Sequence, residues 1–342
     1  MKVSDKRPLR RAGLELTALG LGTAPLGGLY APVALADARA TLDAAFAAGI
    51  RHFDTAPMYG LGRAEHLVGE RLREEEPGGF VVSTKVGRLM SFDRPGRPLP
   101  PEAARNEFDS GWHNGLSFRE VFDYSYDAIL RSYDDSRQRT GLSKLDILFV
   151  HDIGRVTHGE AHDHHWGALT RGGGFRALEE LRSAGLIAGF GLGVNENEAI
   201  LAAMEEADLD VCLLAGRYTL LDGSAADALL PKALARDVAL VMGGVFNSGI
   251  LASASGRKKY NYVDAPAEIL AKAEALEAEC GAFGVPLQAA AIQFPYRHPA
   301  TANVVIGAKT AAQLQQNVAW FEQPIPDALW RSLEEKGLIP AV

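Results

Sequence analysis

Four side chains able to handle protons stand at or just past the ends of short apolar runs. Asp54 and Tyr59 lie in Phe53-Asp54-Thr55-Ala56-Pro57-Met58-Tyr59-Gly60, Lys85 closes Phe80-Val81-Val82-Ser83-Thr84-Lys85, and His151 follows Leu145 to Val150. A free tyrosine titrates near pH 10, about three units too high to act as a base at neutral pH. A cation beside the phenol stabilises the phenolate and lowers that value, and Lys85 can supply it. Singly, each residue has a plainer reading: an Asp after a strand caps a helix, a Lys at a strand end is solvated, a His at a rim is packed. All four in order, at equivalent strand ends, point to a proton-transfer site.

Such a site needs strands that end together. The runs Ile50–Asp54, Phe80–Lys85, Leu145–His151, Ala188–Val194, Val211–Ala215, Val238–Met242 and Asn303–Ile306 read as buried strands. Helical patterns lie between them, over Ala38–Ala48, Arg119–Arg139, Phe175–Ser183, Glu196–Glu206, Ala225–Ala235, Ala267–Phe283 and Thr310–Ala319. Repeated strand-then-helix order implies a parallel sheet with right-handed crossovers, and eight such units close into a (β/α)8 TIM barrel whose chemistry sits at the C-terminal rim. Leu9 to Leu16, broken by Arg11-Ala12-Gly13, reads as a β-hairpin capping the barrel bottom. Two long loops, Gly87–Ser117 and Asp152–Gly174, are expected to wall the pocket. The chain of 342 residues is expected to form one domain, 1–342.

In order and context, Asp54, Tyr59, Lys85 and His151 resemble the catalytic tetrad of the aldo-keto reductase superfamily. The likeness runs through Gly20-Leu21-Gly22-Thr23, Gly191-Leu192-Gly193-Val194-Asn195, Ile306-Gly307-Ala308 and Gln313 to Asn317. Leu214 to Leu221 and Lys259-Tyr260-Asn261-Tyr262 resemble the branch that contains aldose 1-dehydrogenases and pyridoxal 4-dehydrogenases. The resemblance implies hydride transfer between a nicotinamide and an alcohol or lactol carbon, with Tyr59 moving the hydroxyl proton. Asp54 would hold Lys85, and His151 would fix the substrate oxygen; the cofactor carries the difficult chemistry and no metal is needed.

It also implies an extended cofactor across the rim. Thr23 and Asp54 would meet the nicotinamide ribose, Asn195 the carboxamide, Phe246, Asn247, Ser248 and Gly249 the pyrophosphate, and Lys309, Gln313, Gln316 and Asn317 the adenosine end. Val194, Ala215 and Gly243 depart from the family's usual serine, glutamine and aromatic. Gln313 stands where many members place an arginine on the 2′-phosphate, and a neutral amide lacks that charge-assisted contact. NAD is therefore expected, with NADP possible through Lys309 or Arg257 to Lys259. Trp112, His113, Arg217 and Phe246 are the expected substrate residues. An aldose oxidised at its anomeric carbon to a lactone is the favoured substrate, and pyridoxal, whose flat ring Trp112, Tyr218 or Phe246 could stack, is the alternative. A cofactor-binding regulatory subunit on the same barrel is a more distant reading.

A formal net charge of −8 argues against nucleic acid, which needs a basic footprint. Cys212 and Cys280 make no disulfide framework, Met1 to Arg11 lacks the apolar core of a signal peptide, and no apolar run approaches the ~20 residues of a membrane span. These features favour a cytoplasmic protein acting on a small molecule; they do not fix an oligomeric state. His158, His162, His164 and His165 suggest imidazole ligands, but no cysteine or acidic ligand phrase accompanies them, so no metal is expected.

Overall fold

The computed structural model describes residues 1–92, 111–252, 259–260 and 263–340. In chain order the strands are β1 (Lys6–Leu9), β2 (Leu14–Thr17), β3 (Leu19–Gly22), β4 (His52–Asp54), β5 (Val81–Val86), β6 (Arg88–Ser91), β7 (Arg119–Phe122), β8 (Ile147–His151), β9 (Gly189–Val194), β10 (Val211–Ala215), β11 (Ala239–Gly243), β12 (Lys259–Tyr260), β13 (Val263–Asp264) and β14 (Thr301–Ile306). The helices are α1 (Leu35–Ala47), α2 (Arg63–Leu72), α3 (Tyr126–Thr140), α4 (Arg155–His158), α5 (His162–Leu169), α6 (Gly174–Ser183), α7 (Asn197–Glu206), α8 (Leu229–Ala235), α9 (Ala267–Ala282), α10 (Leu287–Gln293), α11 (Ala311–Glu322) and α12 (Asp327–Glu335). Strands β3, β4, β5, β8, β9, β10, β11 and β14 pair in parallel in that order and close on themselves, completing the expected barrel.

Each barrel strand is buried on both faces, so the two-residue alternation of a strand decides what points where. On β8, Ile147 and Phe149 enter the barrel interior while Leu148 and Val150 pack against the helices. On β5, Val81 is interior, Val82 and Val86 face outward, and Thr84 Oγ1 donates to Glu65 Oε1 on α2 at 2.7 Å. Ser83 and Lys85 therefore share the inward face with Val81. At the bottom the hairpin β1–β2 pairs Lys6 with Thr17 and inserts Leu9 and Leu16 among Val81, Ile147, Val211 and Val241. Each such leucine contributes roughly 1.5–3 kcal/mol by leaving water. The hydrophobic layer plugs one end and leaves the other for polar groups.

Several sequence expectations are corrected. Leu19–Gly22, absent from the expected strands, is barrel strand β3. A Cβ on Gly20 would lie 2.9 Å from His52 Nδ1, so glycine is what lets the histidine occupy the barrel. Arg119–Phe122, expected to open a helix, pairs antiparallel with β6 as β7, and the helix begins at Tyr126. Much of the supposed loop Asp152–Gly174 is helical, as α4 and α5. Residues 93–110 of the other long segment, Arg257, Lys258, Asn261 and Tyr262 lie outside the described residues.

Candidate active site

The structure brings the four proton-handling residues together. Asp54 ends β4 and Lys85 lies on the neighbouring β5, whose register sets Asp54 beside Ser83. Lys85 Nζ donates to Asp54 Oδ2 at 2.8 Å and to the Thr55 carbonyl at 2.9 Å, with both charged side chains buried. Tyr59 follows in a tight turn: Gly60 has φ 64°, and a Cβ on Gly27 would fall 2.5 Å from the Gly60 nitrogen. That close backbone approach fixes the phenol over the ammonium, with Lys85 Nζ 4.7 Å from the Tyr59 ring centroid. His151 closes β8 and meets Tyr59 edge-on, ring centroids 6.1 Å apart. Trp112 covers the other side at 5.8 Å.

Burial and charge oppose each other here. Burial raises the Tyr59 pKa; Lys85 pulls it down by charge and by hydrogen bond, but the net direction is upward. Lys85 thus acts with the expected sign without overcoming burial. Burial also opposes the charge on Lys85, yet Asp54 and Tyr59 together outweigh it, and the Lys85 pKa is raised, so the ammonium stays charged. His151 is driven well below the usual imidazole value by burial, then by the Arg88 and Lys85 cations, and is neutral at physiological pH.

Six further polar residues support this group, none singled out by the sequence reading. Ser83 Oγ lies 2.8 Å from Asp54 Oδ1 and 3.0 Å from His52 Nε2. His52 Nδ1 is 3.0 Å from Asn303 Oδ1, whose Nδ2 donates to the Thr17 carbonyl at 2.6 Å. Burial lowers the His52 pKa. The Ser83 hydroxyl donates its one proton to Asp54 Oδ1, while the His52 ring bridges Ser83 and Asn303. His52 and Ser83 sit two residues before Asp54 and Lys85, hence on the same strand face; that spacing was the available signal. On the far side, buried Arg88 of β6 donates to Glu120 Oε2 of β7 at 2.7 Å and to Asp152 Oδ2. Nothing local in the sequence marks that cluster, because its members come from β6, β7 and the segment after β8, which only the fold brings together.

A cavity of about 110 Å³ opens over the tetrad. Tyr59, Lys85, His151, Asp152 and Asn195 supply its polar lining, and Ala24, Leu29, Met58, Trp112, Val194, Leu213 and Ala215 most of the rest. It meets, at Leu29, a groove of about 480 Å³ lined by Pro25, Gly244 to Gly249, Gly307, Ala308, Lys309 and Gln313. The groove suits a dinucleotide. Both amide atoms of buried Asn247 lack a partner among the described residues, and Asn247, Ser248 and Gly249 all hold positive φ, turning small side chains and backbone toward the opening.

Not every expected residue faces these spaces. Thr23 is buried and its hydroxyl goes to the Asp54 carbonyl at 3.0 Å. Asn195 lines the cavity while donating to the Ala215 carbonyl at 3.1 Å. Phe246 lines the groove and not the tetrad cavity. Gln313 Oε1 accepts the Lys309 backbone N–H at 2.9 Å, Gln316 is exposed beyond the groove lining, and Asn317 donates to the Gly307 carbonyl at 3.4 Å. Among the expected substrate residues, Trp112 is in the cavity wall. His113 is exposed outside it, and Arg217 instead braces the Asn195 carbonyl at 2.7 Å and Asp222 at 3.0 Å. Tyr218 packs on Phe294 in the core rather than at the site.

The histidine-rich segment is built into the fold. His158 Nε2 bonds the Tyr124 hydroxyl at 2.9 Å, that hydroxyl also donates to the His151 carbonyl at 2.8 Å, and His162 Nδ1 faces the Ile153 carbonyl. Among the described residues no group of three or more His, Cys, Asp or Glu side chains could hold a metal ion.

Comparison with known proteins places this geometry among relatives. Residues 18–337 match the model of the aldo/keto reductase family. The chain is 61% identical to a pyridoxal 4-dehydrogenase of Microbacterium luteolum, over 99% of both chains, and 38% identical to a D-threo-aldose 1-dehydrogenase of a Pseudomonas species, over 96% of both. In fold it is similar to the holo form of an aldo-keto reductase from Bacillus halodurans, with a TM-score of 0.72 at 21% identity, covering 99% of this chain and 97% of the other.

Proposed function

The chain belongs to the aldo/keto reductase family, and from that premise we propose that it is an NAD-dependent dehydrogenase that oxidises the cyclic hemiacetal of pyridoxal to a lactone. It is an oxidoreductase of the nicotinamide-dependent type; substrate, cofactor preference and residue roles are the proposal. The observation that carries the substrate is the tetrad cavity itself. A hexose-like ring would bury several hydroxyls against Met58, Leu213, Val194 and the Trp112 indole, and each unmatched hydroxyl costs about 1–3 kcal/mol. A flat aromatic ring suits those walls and can stack on Trp112. The stronger likeness to the pyridoxal enzyme agrees, and the aldose reading that the sequence favoured gives way to the pyridoxal one.

When bound in the groove, the nicotinamide supplies a hydride acceptor, and this chain's residues manage the oxygen and its proton. His151, neutral and at the cavity wall, fixes the lactol oxygen by a hydrogen bond. Tyr59 takes the hydroxyl proton as the C–H bond breaks with its electron pair and the C=O bond of the lactone forms. Lys85 biases Tyr59 toward the phenolate, and Asp54, held by Ser83, keeps Lys85 charged and aimed. Trp112 and Leu29 exclude water from the reacting carbon.

NAD is the preferred cofactor in this proposal, because the Gln313 amide is engaged with the Lys309 backbone and carries no charge for a 2′-phosphate. Incubation with pyridoxal and either cofactor is expected to yield the lactone with one reduced cofactor per turnover, with kcat/KM for NAD at least about tenfold above NADP, the factor that 1.4 kcal/mol represents. Faster turnover with NADP would show that the Lys309 ammonium grips the phosphate and would reverse the cofactor assignment.

A further inference from the structure

Asp152, the residue after His151, puts a carboxylate in the cavity wall that none of the steps above uses. Its backbone is left-handed, φ 45°, an uncommon state for a non-glycine residue that the surroundings must enforce. Its nitrogen donates to the Gly193 carbonyl at 3.0 Å, and Arg88 takes up Oδ2. Arg88 also donates to Glu120, which anchors the guanidinium that holds Asp152. The Asp152 side chain keeps 18% exposure, and no protein donor meets Oδ1 among the described residues. Burial works against the charge on this carboxylate, pushing its pKa up against the pull of Arg88 and Lys85. A half-satisfied, rigidly held acceptor at a substrate cavity calls for a donor on the substrate.

We propose that Asp152 is a specificity-determining residue that accepts a hydrogen bond from the substrate ring, from a protonated ring nitrogen or a ring hydroxyl, and that Arg88 and Glu120 hold it in place for that contact. The inference rests on the proposed substrate insofar as pyridoxal carries both kinds of donor. Asp152 Oδ2 also lies 3.5 Å from His151 Nε2, whereas the ring contact falls to Oδ1.

The test pairs substrates with a variant. 2-(Hydroxymethyl)benzaldehyde forms a comparable cyclic hemiacetal with neither ring nitrogen nor ring hydroxyl, and 3-deoxypyridoxal lacks only the hydroxyl. Wild-type kcat/KM is expected to fall about tenfold or more from pyridoxal to the donor-free hemiacetal. Asp152→Asn should raise KM for pyridoxal about tenfold and lower kcat/KM for pyridoxal at least about fivefold more than for the donor-free hemiacetal. Retention of the Asp152→Asn penalty on 3-deoxypyridoxal assigns the contact to the nitrogen; its loss assigns it to the hydroxyl. A penalty of equal size on both hemiacetals, or none on pyridoxal, overturns the proposal. The wild-type comparison decides the matter even if the variant does not fold, because equal turnover of the two hemiacetals also overturns it. Should pyridoxal be inert with the wild type, the substrate reading fails, and the same comparison between a D-threo aldose and the bare lactol of 5-hydroxypentanal tests Asp152 on its own.

Discussion

At Tyr59 two physical effects meet in one atom. Burial under Trp112 raises the cost of a phenolate, and the Lys85 ammonium beneath the ring lowers it. In the proposed mechanism the residue is therefore useful as a base only while Lys85 stays charged, which Asp54 favours from 2.8 Å. In that mechanism, replacing Tyr59 by Phe removes the proton acceptor and leaves the groove untouched. Turnover is expected to fall by about 10²–10⁴, with NAD affinity by fluorescence titration changed less than about threefold. Wild-type-like kcat in this variant would remove Tyr59 from the mechanism. Lys85→Met works in the opposite sense on pH: without the cation the phenolate needs a higher pH, so the acid limb of the oxidation profile should move upward by about one unit or more. An unmoved limb would show that Lys85 does not tune the phenol. Neutral His151 adds no limb of its own near pH 6.5, because its pKa lies well below that value.

At the scale of elements, the tetrad was legible because strand ends carry it: apolar runs closing in Asp54, Lys85 and His151 are local patterns that survive into β4, β5 and β8. Strand β3 was not, since Leu19-Gly20-Leu21-Gly22 has the glycine spacing of a turn and owes its strand to pairing with β14 and β4. The same holds for β7, whose Arg119–Phe122 continues smoothly into helical sequence and is extended only because β6 lies opposite. Trp112 was identifiable as an aromatic in a long segment, whereas Asp152 was hidden by its neighbour His151. Arg88 ties β6 to β7 and to the start of the segment after β8. Arg88→Met would strip Asp152 and Glu120 of the guanidinium they share, a loss of about 3–5 kcal/mol in urea unfolding. A change below about 1 kcal/mol would mean that the cluster contributes little to the fold.

For the whole molecule, the barrel separates stability from chemistry along its axis. Leu9 and Leu16 seal the bottom, Phe149 and Leu213 fill the middle, and the buried chain from Asn303 through His52 and Ser83 carries polar contacts up to Asp54. Among the described residues no helix is long and apolar enough to cross a membrane. In the proposed function, the apolar part of the cavity wall at the top favours a flat aromatic hemiacetal over a sugar. Initial rates of NADH formation with pyridoxal, L-fucose and D-arabinose, each over a full concentration range, test this most directly. The account predicts a kcat/KM for pyridoxal at least about a hundredfold above either sugar, the 2.7 kcal/mol expected from roughly two unmatched hydroxyls. Sugars oxidised as efficiently as pyridoxal, or pyridoxal left untouched, would contradict it.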